Sequence, residues 1–262
     1  MSERVGHGGT LDPFASGLLL VLIGQATKLS RLFLELPKEY ELTVQFGAVS
    51  TTGDPTGDLT PTGKGVSAES VVAAVEQHRG KVRQRVPLTS AVKVQGERLY
   101  KKAHRGETAD TPEREVMIYD LTLLDVDERA RTARILALTG SGAYLRVLAE
   151  DLGTATGAGG YAAALRRTRV GGFCVGNALA VDDLSAVRYA DLGPGVLDLS
   201  GALARLPVQV ADGAQARLAA SGNTLDTAAE GHFRVYGMDR LIGVYEGRAG
   251  RGRPVVIFPQ EA

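Results

Sequence analysis

Cysteine is nearly missing from this chain, with Cys174 alone among 262 residues. One thiol supports neither a disulfide framework nor a Cys-based zinc cage, so a reducing compartment such as the cytoplasm is expected. Tryptophan is absent, and all aromatics together make up 5%. The four histidines, His7, His78, His104 and His232, show no ligand spacing with one another or with Cys174, which argues against a metal site. Long apolar runs are missing too. The longest, Leu18 to Ile23, falls far short of the roughly 20 residues that a membrane span needs. Glu3 and Arg4 at the start speak against a signal peptide. Net charge is also absent, with 30 Lys+Arg against 30 Asp+Glu. Taken whole, that balance argues against a nucleic-acid partner.

What is present changes that view. With 44% hydrophobic and 23% charged residues the composition is that of an ordinary globular protein, long enough for one large domain plus a small appendage. The charge is unevenly spread. From Arg79 to Arg105 there are nine basic residues and one acid, Glu97. Such a concentration is either the electrostatic footprint for a polyphosphate or a solvated basic face. The segment 110–160 is acidic and offsets it. Smaller basic clusters stand at Arg166-Arg167-Thr168-Arg169 and at Arg248 to Arg253.

No internal repeat is visible. Thr10 to Pro13 reads as a helix start, with Leu18 to Ile23 as its apolar stripe. Tyr40 to Phe46 alternates as a half-buried strand. A turn-rich loop follows over 50–65, then a helix from Ala68 to His78 capped by Ser67. Residues 86–113 read as irregular, with a short helix around Arg98 to His104. Val116 to Asp127 and Thr132 to Thr139 read as paired strands. Tyr144 to Leu152 reads as a helix ending at Gly153, Ala162 to Arg167 as a further helix, and Arg169 to Cys174 as a return to strand. From about Leu206 short strands at Pro207–Val210, Phe233–Tyr236, Leu241–Tyr245 and Val255–Phe258 alternate with Gly-rich turns, the pattern of a small β-barrel. The expected fold is therefore mixed α+β, with a boundary near residue 205.

Three motif fragments fail. Ser90-Ala91-Val92-Lys93 has the S-x-x-K spacing without its companion motifs. Gly63-Lys64-Gly65 lacks the glycine and hydroxyl of a phosphate loop. Gly140-Ser141-Gly142 has Leu145 where a dinucleotide fingerprint needs glycine. Two features carry more. Gly6-His7-Gly8-Gly9-Thr10-Leu11-Asp12-Pro13 sets one carboxylate on a Gly-rich turn, where Asp12 is either a reactive acid or a helix cap. Tyr144-Leu145-Arg146 offers an arginine that either pairs with a buried carboxylate or lies on the surface.

The stretch Gly6 to Pro13, followed by Ala15-Ser16-Gly17-Leu18-Leu19, resembles the catalytic motif of the TruB-type tRNA pseudouridine synthases. Lys38-Glu39-Tyr40 with Phe46-Gly47 is similar to that family's K-x-Y strand. Pro87 to Lys93, with Gly96, Arg98, Tyr100 and Gly106, is similar to its basic insertion, and Tyr144 to Gly153 with Leu165-Arg166-Arg167 to its last active-site motif. The likeness covers roughly residues 5–175. It implies a catalytic domain over 1–204 built on a central antiparallel or mixed sheet, with an RNA-binding insertion at about 79–113. A PUA-like RNA-binding barrel is implied over 205–262.

The implied reaction converts uridine 55 in the T loop of tRNA to pseudouridine, with no cofactor and no metal. Asp12 would be the essential carboxylate, acting at C1′ or on a sugar proton, and Arg146 would pair with it. Tyr40 would stack on the extruded base and serve proton transfer at C5. Tyr144 and Leu165 would line the pocket, and His7 would fill the space the base leaves. Lys28, Lys38, Lys93, Arg98 and Arg166 would contact the RNA. The implied partner is the tRNA T stem-loop alone, with no membrane, no obligate protein partner and a monomeric state.

Two departures stand out. Gly8 occupies a position where the family pattern has Thr. The motif also begins five residues from Met1, whereas the family pattern places a strand, a helix and a K-P-x-G-x-[ST] signature ahead of it. The expectation from the second is an exposed sheet edge and a weakened fold. It leaves open a catalytically weak RNA-binding or tRNA-folding protein as a second reading. An RNA-guided synthase inside a larger particle is a third, disfavoured by the Lys93-Val94-Gln95-Gly96-Glu97-Arg98-Leu99-Tyr100 stretch.

Overall fold

The structure, a computed structural model, describes residues 4–90, 92–94, 96–185 and 195–259. Ala91 and Gln95 of the insertion motif lie outside the described residues. The chain forms two compact units. One comprises Gly9–Leu20 and Leu32–Gly176, the other Met1–Gly8, Val21–Arg31 and Asn177–Ala262.

The first unit is built on a seven-stranded sheet. Its strands are β1 (Ser16–Gly17), β2 (Lys38–Phe46), β3 (Gly80–Arg85), β4 (Glu113–Asp127), β5 (Thr132–Thr139), β6 (Gly160–Val170) and β7 (Phe173–Cys174). The spatial order is β7-β6-β2-β5-β4-β3, antiparallel throughout, and β1 adds in parallel to β6. Alternation in β2 sends Tyr40, Leu42, Val44 and Phe46 to one face. There they pack against Ile118, Leu121 and Ile135, under Val71 and Val75 of helix α1 (Ala68–Gln77) and Leu148 and Leu152 of helix α2 (Leu145–Ala155). Ser67 caps α1 in a capping box with Ser70, as the sequence predicts.

The expected helix over Thr10 to Ile23 does not form. Ala15 N donates to Asp12 O at 2.9 Å, closing a turn, and Leu18 N donates to the Arg167 carbonyl at 2.8 Å as the chain joins β6. The apolar run is divided: Leu18 and Leu22 are buried, whereas Leu19, Val21 and Ile23 face solvent. Asp12 is thus not a helix cap. The second expected helix, Ala162 to Arg167, is part of strand β6, paired along both edges. Its alanines have high helix propensity, but pairing to both β2 and β7 and the close cover of α2 override it. Helix α2 also runs past Gly153 to Ala155.

The second unit holds a five-stranded sheet with strands β8 (Val208–Val210), β9 (Leu225–Asp226), β10 (Gly231–Gly237), β11 (Arg240–Arg248) and β12 (Arg251–Ile257) in the order β8-β10-β11-β12-β9. Phe233, Val235, Ile242 and Tyr245 pack beneath a helix at Gly213–Ala220 that the sequence reading missed. Tyr245 donates its hydroxyl to Ala219 O at 2.9 Å, satisfying a buried polar group. This half-barrel fits the PUA-like expectation. The same unit contains a two-stranded antiparallel sheet of Val5–His7 and Val21–Ile23. No helix among the described residues is long and apolar enough to cross a membrane.

Candidate active site

Asp12 sits on the turn after Gly9, about one third exposed, and Arg146 comes to it from the first turn of α2, where it is 3% exposed. Arg146 Nε donates to Asp12 Oδ2 at 2.9 Å and Nη2 to Oδ1 at 3.1 Å, a bidentate pair. Its Nη1 is also used. Nη1 donates to Thr52 O at 2.9 Å and to Thr89 Oγ1 at 2.6 Å, and Asp54 Oδ2 lies 3.4 Å away. Asp54 is itself buried and accepts from Thr52 Oγ1 at 2.8 Å and Thr56 N at 2.9 Å. Arg146 is therefore held from two sides, and Asp12 inherits a fixed orientation.

Asp12 opens into a cavity of about 250 Å³ that Tyr40, Tyr144, Leu165, Lys38 and Arg167 also line. Tyr40 is 8% exposed, and burial pushes its phenol above the usual range, although the facing Arg167 guanidinium pulls the other way. Lys38 is buried, and its Nζ donates to Leu34 O at 2.8 Å and Leu36 O at 2.7 Å. Burial, with the Arg167 charge adding to it, lowers its pKa to about 8. Tyr144 is fixed at its backbone. Gln84, 1% exposed on β3, accepts from Tyr144 N at 2.9 Å and donates to Tyr144 O at 3.2 Å.

A second cavity of about 510 Å³ lies on the other flank of Arg146, with Arg83, Arg85 and Thr89 along it. Glu150 and Asp151 also line it, their carboxyls raised by burial.

The residues singled out from sequence thus divide. Asp12, Tyr40, Tyr144, Leu165 and Lys38 share one cavity, and Arg146 joins it through Asp12. Lys38 reaches it with two of its protons already held by backbone carbonyls. Lys93 and Arg98 are exposed on a two-strand hairpin of Lys93–Val94 and Glu97–Arg98. Arg166 is exposed and does not line the cavity; its neighbour Arg167 does. His7 and Lys28 belong to the other unit, His7 exposed on the strand Val5–His7 and Lys28 donating to Ile257 O at 3.0 Å. Sequence reasoning missed Arg167, Asp54 and Gln84. Reading β6 as a strand selects Arg167, because alternation puts 165 and 167 on one face.

The basic stretch is less open than its count implies. Arg79, Lys81 and Arg85 pair with Asp120, Glu115 and Asp110, because β4 runs antiparallel beside β3, and Arg105 pairs with Glu97 and Glu107. Arg83, Lys93, Arg98, Lys101 and Lys102 form no ion pair among the described residues.

Comparison with known proteins accords with this geometry. Residues 1–145 match the model of the TruB family pseudouridylate synthase N-terminal domain. A tRNA pseudouridine synthase B of Anaplasma marginale is 37% identical over 260 residues, covering 97% of this chain and 84% of that protein. One from Thermobifida fusca is 35% identical over 277 residues, with 98% and 89% covered. Among solved structures, a Cbf5-Nop10-Gar1 complex contains a chain similar in fold, with a TM-score of 0.70 at 21% identity, covering 98% of this chain and 76% of that one.

Proposed function

The chain belongs to the TruB family of pseudouridylate synthases, and on that premise we propose that it isomerises uridine to pseudouridine in tRNA, at position 55 of the T loop. The observation that carries this reading is the bidentate Arg146–Asp12 pair at a cavity of about 250 Å³ lined by Tyr40, Tyr144 and Leu165.

In the reaction the N1–C1′ bond breaks, the base turns, and C5 bonds to C1′. The C5 proton leaves and N1 takes one up. The exchange is redox-neutral and stays within one nucleotide, so it calls on no cofactor. Asp12 acts on the sugar, either attacking C1′ or removing a sugar proton, and Arg146 fixes its direction of approach. Tyr40 stacks on the base and serves proton transfer at C5, its hydroxyl facing the Arg167 guanidinium. Tyr144 and Leu165 hold the extruded uracil in place of its lost stacking partners.

Docking falls to the segment 79–113, through Arg83, Lys93, Arg98 and the lysines beside them, with residues 205–262 as a further RNA-binding domain. His7, Lys28, Lys38 and Arg166 complete the set assigned to substrate. The protein acts as a monomer in the cytoplasm, without a protein partner. The test is tritium release from tRNA labelled at C5 of uridine. The chain should release label from position 55, Asp12→Asn should release none while still binding tRNA, and turnover by that variant would overturn the assignment.

A further inference from the structure

Arg167 is among the largest fully buried side chains, 1% exposed, and no carboxylate pairs with it among the described residues. A buried guanidinium is tolerated only where its donors are satisfied. Here backbone oxygens satisfy it, and their positions in the chain are informative. Nη2 donates to Gly9 O at 3.0 Å and Nη1 to Thr10 O at 3.1 Å, both ahead of Asp12. Nε donates to Leu18 O at 2.7 Å, beyond it. The Arg167 backbone carbonyl also accepts from Leu18 N at 2.8 Å. One residue thus fastens both ends of the segment that carries Asp12. It sits directly opposite Tyr40 in the pairing of β2 with β6, and its guanidinium faces the Tyr40 hydroxyl within the cavity.

We infer that Arg167 is a positioning residue for the isomerisation, setting the separation between the Asp12 carboxylate and the Tyr40 hydroxyl by clasping residues 9–18 against β6. The inference rests on the reading of this cavity as the uridine site. It requires the planar fork of arginine, because the three carbonyls each meet a different nitrogen, Nε, Nη1 and Nη2, a spread that the single nitrogen of an ammonium does not span.

The test is Arg167→Lys in the full chain, which keeps the charge and loses the fork. kcat should fall by about 10²-fold, as misplacement by an ångström costs, while the Kd for tRNA stays near that of the parent. Hydrogen exchange over residues 9–18 should quicken, with β2 unchanged. A variant with parental kcat, or with exchange over 9–18 unaltered, would overturn the inference. Should Arg167→Lys fail to fold, Gly9→Ala approaches the same clasp from the loop side. Gly9 has φ +126°, and its added methyl would lie 3.4 Å from Lys38 Cε and 3.8 Å from Arg167 Nη1. It should reproduce the loss of kcat with tRNA binding kept, and full activity would count against the clasp. A parent chain that forms no pseudouridine defeats the functional reading instead, and the exchange comparison still decides whether Arg167 holds the loop.

Discussion

Arg146 and Asp12, 134 residues apart in the chain, meet through two hydrogen bonds of 2.9 and 3.1 Å, and the arginine's far side is taken by Asp54. One guanidinium thus serves a carboxylate about one third exposed and a buried one. The two contacts have different consequences, since the first aims a reactive group and the second satisfies an acid that has little water.

Arg146→Met is therefore expected to cost both activity and stability. It strands Asp54, which is 6% exposed, and should lower the unfolding free energy by about 3 kcal/mol. Arg146→Lys keeps a cation near both acids but gives up the bidentate geometry. It should remain close to parental stability while losing about 10²-fold in kcat. Denaturant unfolding beside single-turnover assays separates the two effects.

Gln84→Leu tests the hold on Tyr144. The amide of Gln84 answers both the N–H and the C=O of Tyr144; leucine leaves the N–H unpaired, while the C=O keeps the Leu148 N–H at 3.1 Å. A loss of about 1–3 kcal/mol is expected, measured by urea unfolding. Gln84→Glu, which restores the acceptor alone, should fall between.

Lys38 makes stability depend on pH in the alkaline range. Its pKa is about 8 in the fold against 10.5 ordinarily. Below about pH 8 both states are protonated and the cost of burying the charge is fully present. Between about pH 8 and 10.5 the unfolded chain holds the proton that the fold has shed, so stability rises with pH. Denaturation midpoints between pH 7.5 and about 9.5 should rise in the parent relative to Lys38→Met, whose methionine carries no titrating group.

Salt dependence should separate the basic residues by their pairing. Arg83→Ala and Arg98→Ala are each expected to lower the slope of log K for tRNA against log salt by about 0.7–1. Arg105→Ala should leave it nearly unchanged, because Glu97 and Glu107 already occupy that guanidinium.

Much of the first unit's sheet was legible because its strands alternate and its turns carry glycine, and Tyr40 was legible with it. The Arg146–Asp12 contact was not, since no spacing rule links positions so far apart; only the resemblance joined them. Arg167 was obscured by alanine. Tyr161 to Leu165 favours a helix locally, and a helical reading removes the alternation that points 165 and 167 together. Ion pairing on the basic stretch was obscured by where the count ended, since Glu115 and Asp120 lie on β4 and Asp110 just ahead of it. The helix expected from Thr10 failed for a tertiary reason: backbone pairing with β6 satisfied the same N–H groups another way.

A side chain on Gly153 of α2 would lie 2.1 Å from Gly160 N, and Gly159 N donates to Gly153 O at 2.9 Å. At this point helix and strand therefore meet main chain to main chain, while Leu148 and Leu152 of the same helix fill the core beside them. A layer of side chains can be recut by substitution, and the elements it separates drift as it changes. Backbone thickness is the same in every sequence. The turn bearing Arg146 is thereby indexed to the sheet by a dimension that mutation of the surrounding core does not rescale, so the hydrophobic interior of this unit is free to diverge while the arginine keeps its place.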